Sequence, residues 1–365
     1  MADLTPITRE EKIIAGEDIK PVTREEKILA GMDVAPVTRR EKFLKAFGGG
    51  GSGGDEEELK ITDASYLFYK GARYDIADLL CSSLKECTNF SHMFDGFIEL
   101  TSVPNFDTSS GTDFNNMFAF ARKLTSVPNF DTSNGTDFYS MFDNCEALTS
   151  VPNLDTSNGK NFNNMFRGCY VITPIPNFDT SNGTSFNNMF NNCRALTSIP
   201  NLDVSNGTSF SYMFDTCIAL TSVPNLDTSN GKNFYSMFNG CGALTSIPNL
   251  DVSNGTAFNY TFNNCKALTN LFLYNIRKSI QIGSGTSWGH LLTVDSLVHT
   301  IKELCTVTST QTLTMGNANL EKIANLYCKI TDDTHEKKPM ELCESTDEGA
   351  MTLVDYASEK GWLIA

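Results

Sequence analysis

The chain has 365 residues, 40% of them apolar, with 28 Lys and Arg set against 43 Asp and Glu for a net charge of −15. That apolar content excludes wholesale disorder, and so acidic a body repels nucleic acid and anionic bilayers as direct partners. No run approaches the ~20 apolar residues that span a bilayer, and Met1–Lys12 is polar, so neither membrane insertion nor ordinary secretion is expected and folding in a reducing cytosol is. The eleven cysteines fit that compartment, because an odd count with six at 24-residue intervals is unlike a disulfide framework.

Residues 1–47 hold nine basic and nine acidic residues, so the whole net charge lies beyond them. They contain one 15-residue unit three times over, beginning at Pro6, Pro21 and Pro36. Each unit places Glu three residues after Thr (Thr8 and Glu11, Thr23 and Glu26, Thr38 and Glu41), the spacing of a capping box at a helix start. Gly16 and Gly31 stand where such a helix would end. About two turns of helix are encoded, too few to be stable alone in water. A spacer would need neither identical units nor three caps. A docking peptide that orders on a partner needs both. The candidate docking residues are Thr8, Arg9, Glu11, Ile13 and Ile14, then Thr23, Arg24, Glu26, Ile28 and Leu29, then Thr38, Arg39, Glu41, Phe43 and Leu44.

Residues 48–58, Gly-rich and then acidic, read as a flexible hinge. Residues 59–89 read as an N-terminal cap, with a strand over Ile61–Tyr69 and a helix over Tyr74–Lys85.

Residues 90–270 repeat every 24 residues, with Leu100, Leu124, Leu148, Ile172, Leu196, Leu220, Leu244 and Leu268 opening successive units. Phe138, Met141, Phe142 and Cys145 stand at i, i+3, i+4 and i+7, which predicts one stripe of a short helix. Asp113, Asp137, Asn161, Ser185, Ser209 and Asn233 precede the first Phe of their units and read as helix N-caps. Leu124, Val127 and Phe130 predict a short extended arc with those three side chains inward, and Asn134-Gly135 a turn. A single unit cannot offset the entropy of ordering itself, so stacked units must fold together. The expected fold class is therefore an α/β solenoid of leucine-rich-repeat-like 24-residue coils, each a short strand plus a short helix, preceded by short tethered helices.

Residues 271–365 read as a C-terminal cap. Helices are expected over Ser296–Cys305, Leu320–Lys329 and Ala350–Lys360, with strands over Gln311–Met315 and Trp362–Ala365.

Cys145, Cys169, Cys193, Cys217, Cys241 and Cys265 form a column that suggests redox or metal chemistry, yet Phe97 and Ala121 fill the same place, as apolar packing would. Asn105 through Asn249 and Asp107 through Asp251 form two more columns, read as turn chemistry rather than a cation or glycan site. Thr125, Thr149, Thr173, Thr197, Thr221 and Thr245 make a polar stripe and are the candidate ligand face. His92, His290, His299 and His335 are scattered, and no catalytic motif surrounds them. No catalytic residue, metal site or cofactor is expected.

Units such as Phe-x-x-Met-Phe-x-x-Cys-x-x-Leu-Thr-Ser-Val-Pro-Asn, recurring over about residues 90–270, resemble the BspA-like leucine-rich repeats of bacterial surface proteins. That resemblance implies an adhesin or surface-interaction module, with the Glu359-Lys360-Gly361-Trp362 ending as its closing cap. The Pro-[Ile/Val]-Thr-Arg-[Glu/Arg]-Glu-Lys units resemble tandem units that open structural proteins of tailed phages, head fibres or decoration proteins. Arg40, where the other units have Glu, departs from that pattern. Together these imply a non-enzymatic virion protein, made in the host cytoplasm and placed on the virion surface. Residues 1–47 would bind a capsid or other virion protein, and the solenoid a host surface protein or glycan. The alternative is a bacterial cell-surface adhesin.

Overall fold

In a computed structural model of the chain, the described residues are 60–63, 66–69, 72–75, 87–282 apart from 99 and 104, 292–304, 309, 311–315, 317–323, 326–330, 340–343, 345–347 and 350–364. The docking units expected in residues 1–47 and the hinge expected over residues 48–58 lie outside them.

From residue 87 to residue 275 the chain returns to the same place every 24 residues. The bridging residues Asn89, Asp113, Asp137, Asn161, Ser185, Ser209, Asn233 and Ala257 pair in parallel, each with its equivalent in the next repeat. Two phenylalanines per repeat then fall into register. Phe90, Phe114, Phe138, Phe162, Phe186, Phe210, Phe234 and Phe258 form one file with ring centroids 5.4–6.0 Å apart. Phe94, Phe118, Phe142, Phe166, Phe190, Phe214, Phe238 and Phe262 form a second at 5.4–6.2 Å. Nearly all these pairs are stacked, with offset rings that attract beyond the area they bury.

The expected helix in each repeat is absent among residues 87–275, and this corrects the reading of the Phe-x-x-Met-Phe-x-x-Cys stripe. Its place is taken by consecutive tight turns. Met141 N–H donates to the Phe138 carbonyl at 3.2 Å and Cys145 N–H to the Phe142 carbonyl at 3.2 Å. The third residue of each turn, Ser140 (φ 52°) and Asn144 (φ 55°), is left-handed, as a type II turn requires. The alternate N–H groups leave the repeat altogether. Phe138 donates to Asn161 at 3.1 Å, Ser140 to Asn163 at 2.9 Å and Phe142 to Met165 at 3.0 Å. The reason is dimensional: an α-helix with side chains is about 10–12 Å across, twice the spacing of the phenylalanine rings. Flat turns fit such thin layers, and their free donors bind the layers together.

The six residues read as N-caps consequently cap no helix. Asp137 is a bridging residue whose carboxylate accepts from Tyr139 N–H at 2.9 Å, which opens the first turn, and Asp113 does the same for Asn115. The arc is closer to expectation: Leu124, Val127 and Phe130 are all buried, and so are their equivalents apart from the half-buried Tyr274 of the last arc. Only the last two arcs form ladder strands. These are β4 (Ser246–Asp251) and β5 (Asn270–Tyr274), paired in parallel with Ser246 opposite Asn270.

Before the repeats lie β1 (Lys60–Asp63), β2 (Tyr66–Tyr69) and β3 (Ala72–Asp75), an antiparallel sheet in that order. The single strand expected over Ile61–Tyr69 is thus two strands. The third takes the start of the expected helix Tyr74–Lys85, whose remainder lies outside the described residues.

After the repeats come β6 (Ile280–Gln281), α1 (Val294–Lys302), β7 (Gln311–Thr314), α2 (Asn317–Ile323), β8 (Tyr327–Ile330), β9 (Met340–Cys343), β10 (Met351–Thr352), α3 (Leu353–Glu359) and β11 (Trp362–Ile364). Strands β11, β7 and β6 pair in parallel, and β10, β8 and β9 pair antiparallel. The helix expected over Leu320–Lys329 stops at Ile323, because Tyr327–Ile330 joins the second sheet and buries Cys328. Thr293 caps α1 by accepting from Ser296 N–H, and a Thr352–Asp355 capping box starts α3. Gly361 follows α3 with φ 84°, the left-handed ending expected of it. The buried Lys360 ammonium donates to the carbonyls of Lys302 at 3.1 Å and Leu304 at 2.7 Å, tying the end of α3 to that of α1. One apolar cluster runs unbroken from Cys87 to Trp362.

Candidate functional site

Each repeat shows three surfaces to its surroundings: the arc, the Asp-Thr-Ser-Asn-Gly edge and the turn segment. They differ in how their polar groups are used. On the arc, Thr125, Thr149, Thr173, Thr197, Thr221 and Thr245 are all exposed, as a ligand face requires. The hydroxyls of four of them turn back to the scaffold, however. Thr149 Oγ1 donates to the Thr125 carbonyl at 3.1 Å, and Thr125, Thr221 and Thr245 repeat the contact at 3.1–3.2 Å.

The edge is a second hydrogen-bonded ladder. Asp155 Oδ1 accepts from both N–H and hydroxyl of Ser157, at 3.0 and 2.7 Å. These two bonds, the hydroxyl first, hold its carboxyl below the usual range, and Asp203 is held down in the same way by Ser205. Thr156 Oγ1 donates to the Asp179 carbonyl one repeat on at 2.7 Å. Asn158 Nδ2 donates to the Ser133 carbonyl one repeat back at 2.8 Å, and Asn134, Asn182, Asn206, Asn230 and Asn254 match it. The Asp column is thus spent on turns. The edge glycine is needed for close approach: a Cβ there would come within 2.0–2.7 Å of the Cζ of the same repeat's first phenylalanine.

Cys145, Cys169, Cys193, Cys217, Cys241 and Cys265 are free and buried. Each Sγ donates to the carbonyl of the second phenylalanine one repeat earlier, at 3.0–3.1 Å. Burial pushes these thiols up, Cys265 to about 12, which disfavours the thiolate that nucleophilic attack or metal ligation needs. Among the described residues no group of three or more His, Cys, Asp or Glu is placed to hold a metal ion. His299, on α1, meets the rings of Phe272 and Tyr274 on β5 edge-to-face.

The turn segment is the surface that varies. Where the arc and edge repeat almost letter for letter, the residue after the first phenylalanine is Ser91, Asn115, Tyr139, Asn163, Asn187, Ser211, Tyr235 or Asn259. After the second phenylalanine come Asp95, Ala119, Asp143, Arg167, Asn191, Asp215, Asn239 and Asn263. The exposed large apolar residues of the repeats, Ile98, Phe120, Val171, Ile218 and Tyr260, all lie on this segment. Tyrosines join them: Tyr212 and Tyr235 have ring centroids 5.2 Å apart, Tyr235 and Tyr260 5.8 Å, and Arg194 lies 4.9 Å over Tyr170.

Charges on this segment pair within it. Arg167 grips Asp143 with two bonds, at 2.8 and 2.6 Å, across one repeat. The pair pulls two ways: burial pushes the Asp143 carboxyl up in spite of the guanidinium, while the Asp143 bond holds the Arg167 proton tighter. With Asp143 buried and Arg167 well exposed, the burial cost on the carboxylate is the direction that matters.

The sequence reading put the ligand face on the recurring threonines and did not single out the turn segment. The signal for it is the repeat-to-repeat variation itself: a column identical in every repeat serves something every repeat shares, which is stacking. No helix among the described residues is long and apolar enough to cross a membrane. Two successive matches to one family model, described as Mycoplasma protein of unknown function, DUF285, cover residues 62–173 and 163–275. No curated protein matches the chain.

Proposed function

Because the chain belongs to the family described as Mycoplasma protein of unknown function, DUF285, which is the BspA-like family, we propose that it is a non-enzymatic binding protein. In this reading residues 59–365 are a leucine-rich-type solenoid that displays its turn segment to a partner. Residues 1–47 are three weak docking peptides for a capsid or other virion protein, joined by the hinge of residues 48–58. Tethering makes the second and third contacts intramolecular, so their sum exceeds any one by about 10² or more.

One observation carries the binding reading. Exposed apolar and aromatic side chains gather on the one surface that changes from repeat to repeat, while the arc and edge are spent on holding layers together. Exposed apolar groups rimmed by polar ones mark interaction surfaces, and aromatic anchors dominate binding energy. The virion reading is supported by the tandem Pro-x-Thr-Arg units alone.

Two arms test the proposal. Full-length chain and a chain lacking residues 1–47 are mixed with purified particles, and decoration is scored by electron microscopy. Decoration only by the full chain is expected. Decoration by both, or fractionation of the native protein with cell wall instead of particles, contradicts the virion role and favours the cell-surface adhesin. In the second arm, a Val171→Asp, Ile218→Asp chain should lose attachment to the cells that the particles adsorb to, while Thr149→Ala, Thr197→Ala keeps it.

A further inference from the structure

Tyr212, Tyr235 and Tyr260 occupy three successive repeats and touch in sequence, the first pair tilted at 56° and the second edge-to-face at 80°. The buried phenylalanine files beside them mostly lie flat on one another, at 1–13° for the pairs of the second file. Tilted rings cover each other poorly, and Tyr260 is 54% exposed. Both Tyr212 (φ 57°) and Tyr260 (φ 61°) stand at the left-handed position of their turn, where the other repeats place His92, Asn116, Ser140, Asn164, Asn188 and Ser236, smaller or more polar side chains. Two aromatic rings are therefore held where the backbone disfavours them, and such strain collects at binding sites.

The groups beside the patch are polar and already hydrogen-bonded to one another. Asp215, in the same repeat as Tyr212, accepts from Asn239 Nδ2 at 2.7 Å on one oxygen and from Asn191 Nδ2 at 3.1 Å on the other. Asn263 Nδ2 in turn donates to Asn239 Oδ1 at 2.8 Å. The patch thus offers aromatic faces, phenol hydroxyls and carboxamides, with its neighbouring carboxylate engaged on both oxygens. That combination fits a ring with an apolar C–H face and a hydroxyl-bearing rim. A basic peptide would have to displace the two carboxamides that hold Asp215, and an anionic glycan would approach a chain of net charge −15.

We propose that Tyr212, Tyr235 and Tyr260 form a subsite for a neutral saccharide. This rests on the reading of the turn segment as the binding surface and names what it binds. Full-length chain is applied to an array of neutral hexose, N-acetylhexosamine and deoxyhexose oligosaccharides, with sialylated and sulfated glycans and polylysine alongside. Binding to neutral glycans is expected, falling about tenfold or more in Tyr235→Ala and in Tyr260→Ala, the loss of one aromatic anchor. Tyr260→Phe, which keeps the ring, should retain most of the binding and rules out misfolding as the cause of a loss. Binding to no neutral glycan, binding only to anionic glycans or polylysine, or equal binding by both alanine variants overturns the assignment. Should cell attachment still be lost in Val171→Asp, Ile218→Asp while no neutral glycan binds, the surface reading stands and the saccharide assignment alone fails.

Discussion

Gly183 packs its Cα against the ring of Phe186, so closely that a methyl group there would lie 2.5 Å from Phe186 Cζ and 2.9 Å from the Thr180 carbonyl. The glycine is not left-handed; it is required because the first phenylalanine of its own repeat lies across it. Phe162, one repeat back, closes the other side at 3.0 Å, so the ring file leaves no room to move.

Gly183→Ala is therefore expected to destabilise the stack by about 1–3 kcal/mol through overpacking. Ala in place of an exposed loop glycine would instead be neutral or mildly stabilising. Denaturant titration of the full chain separates the two, with a lowered midpoint at unchanged slope as the expected outcome.

The cysteine file is expected to be inert. Its thiols are buried, donate to carbonyls and ionise only well above neutral pH. Iodoacetamide at pH 8 should leave Cys145 through Cys265 unlabelled in the folded chain and label them all in denaturant, as read by peptide mass spectrometry. A reductant should leave the melting temperature unchanged. Labelling in the folded state within minutes would mean that the layers open.

Much of this was legible in the sequence, and the failures have one cause. Period, arc, edge turn and the packing role of the cysteines follow from residue types at fixed spacing. The helix did not, because Phe138, Met141, Phe142 and Cys145 fit two geometries equally: a helical stripe, and consecutive turns that advance four residues at a time. The residues between the hydrophobes arbitrate. Asn116, Asn144, Asn164, Gly168, Asn188, Asn192 and Gly240 hold the left-handed positions and tolerate them. Any one reads as a solvated helix surface, and only their recurrence two places after each phenylalanine marks a turn. The variable turn segment went unremarked for a related reason. Repetition drew attention to the threonine column, although identical residues in every repeat are the ones stacking requires.

Substitution at a left-handed position distinguishes turn from helix by sign. Asn188 (φ 55°) should accept Gly with little change, whereas Asn188→Val should cost about 1–3 kcal/mol, the strain of a β-branched residue at positive φ. A helix would rank them oppositely, with Gly the worse by a few tenths of a kcal/mol. Thermal unfolding of the two variants decides.

Acidification should first stabilise the stack. Burial is the leading cause that raises the Asp137, Asp143 and Asp215 carboxyls above the ordinary 3.8. A carboxyl raised in the fold holds its proton more tightly there than in the unfolded chain. Its contribution is complete below about 3.8 and is lost as pH rises through the folded value. Asp155 and Asp203 are lowered, so theirs is present above 3.8 and lost as pH falls below it. The melting temperature should therefore rise from pH 7 toward about pH 4 and fall beneath that. Asp215→Asn should flatten the rise, and a monotonic fall from pH 7 would contradict the burial of these carboxyls.

The layered stack is tested most directly by removing one whole layer. Excision of residues 160–183 joins Gly159 to Thr184 and restores the phenylalanine files, the cysteine file and the edge ladder, at the loss of the Arg167–Asp143 pair. The shortened chain is expected to stay soluble, to keep its circular dichroism per residue and to unfold in one cooperative transition. Excision of residues 160–171, half a layer, should instead yield a chain that loses that transition. Equal tolerance of both excisions, or unfolding by both, would contradict a stack of interchangeable 24-residue layers.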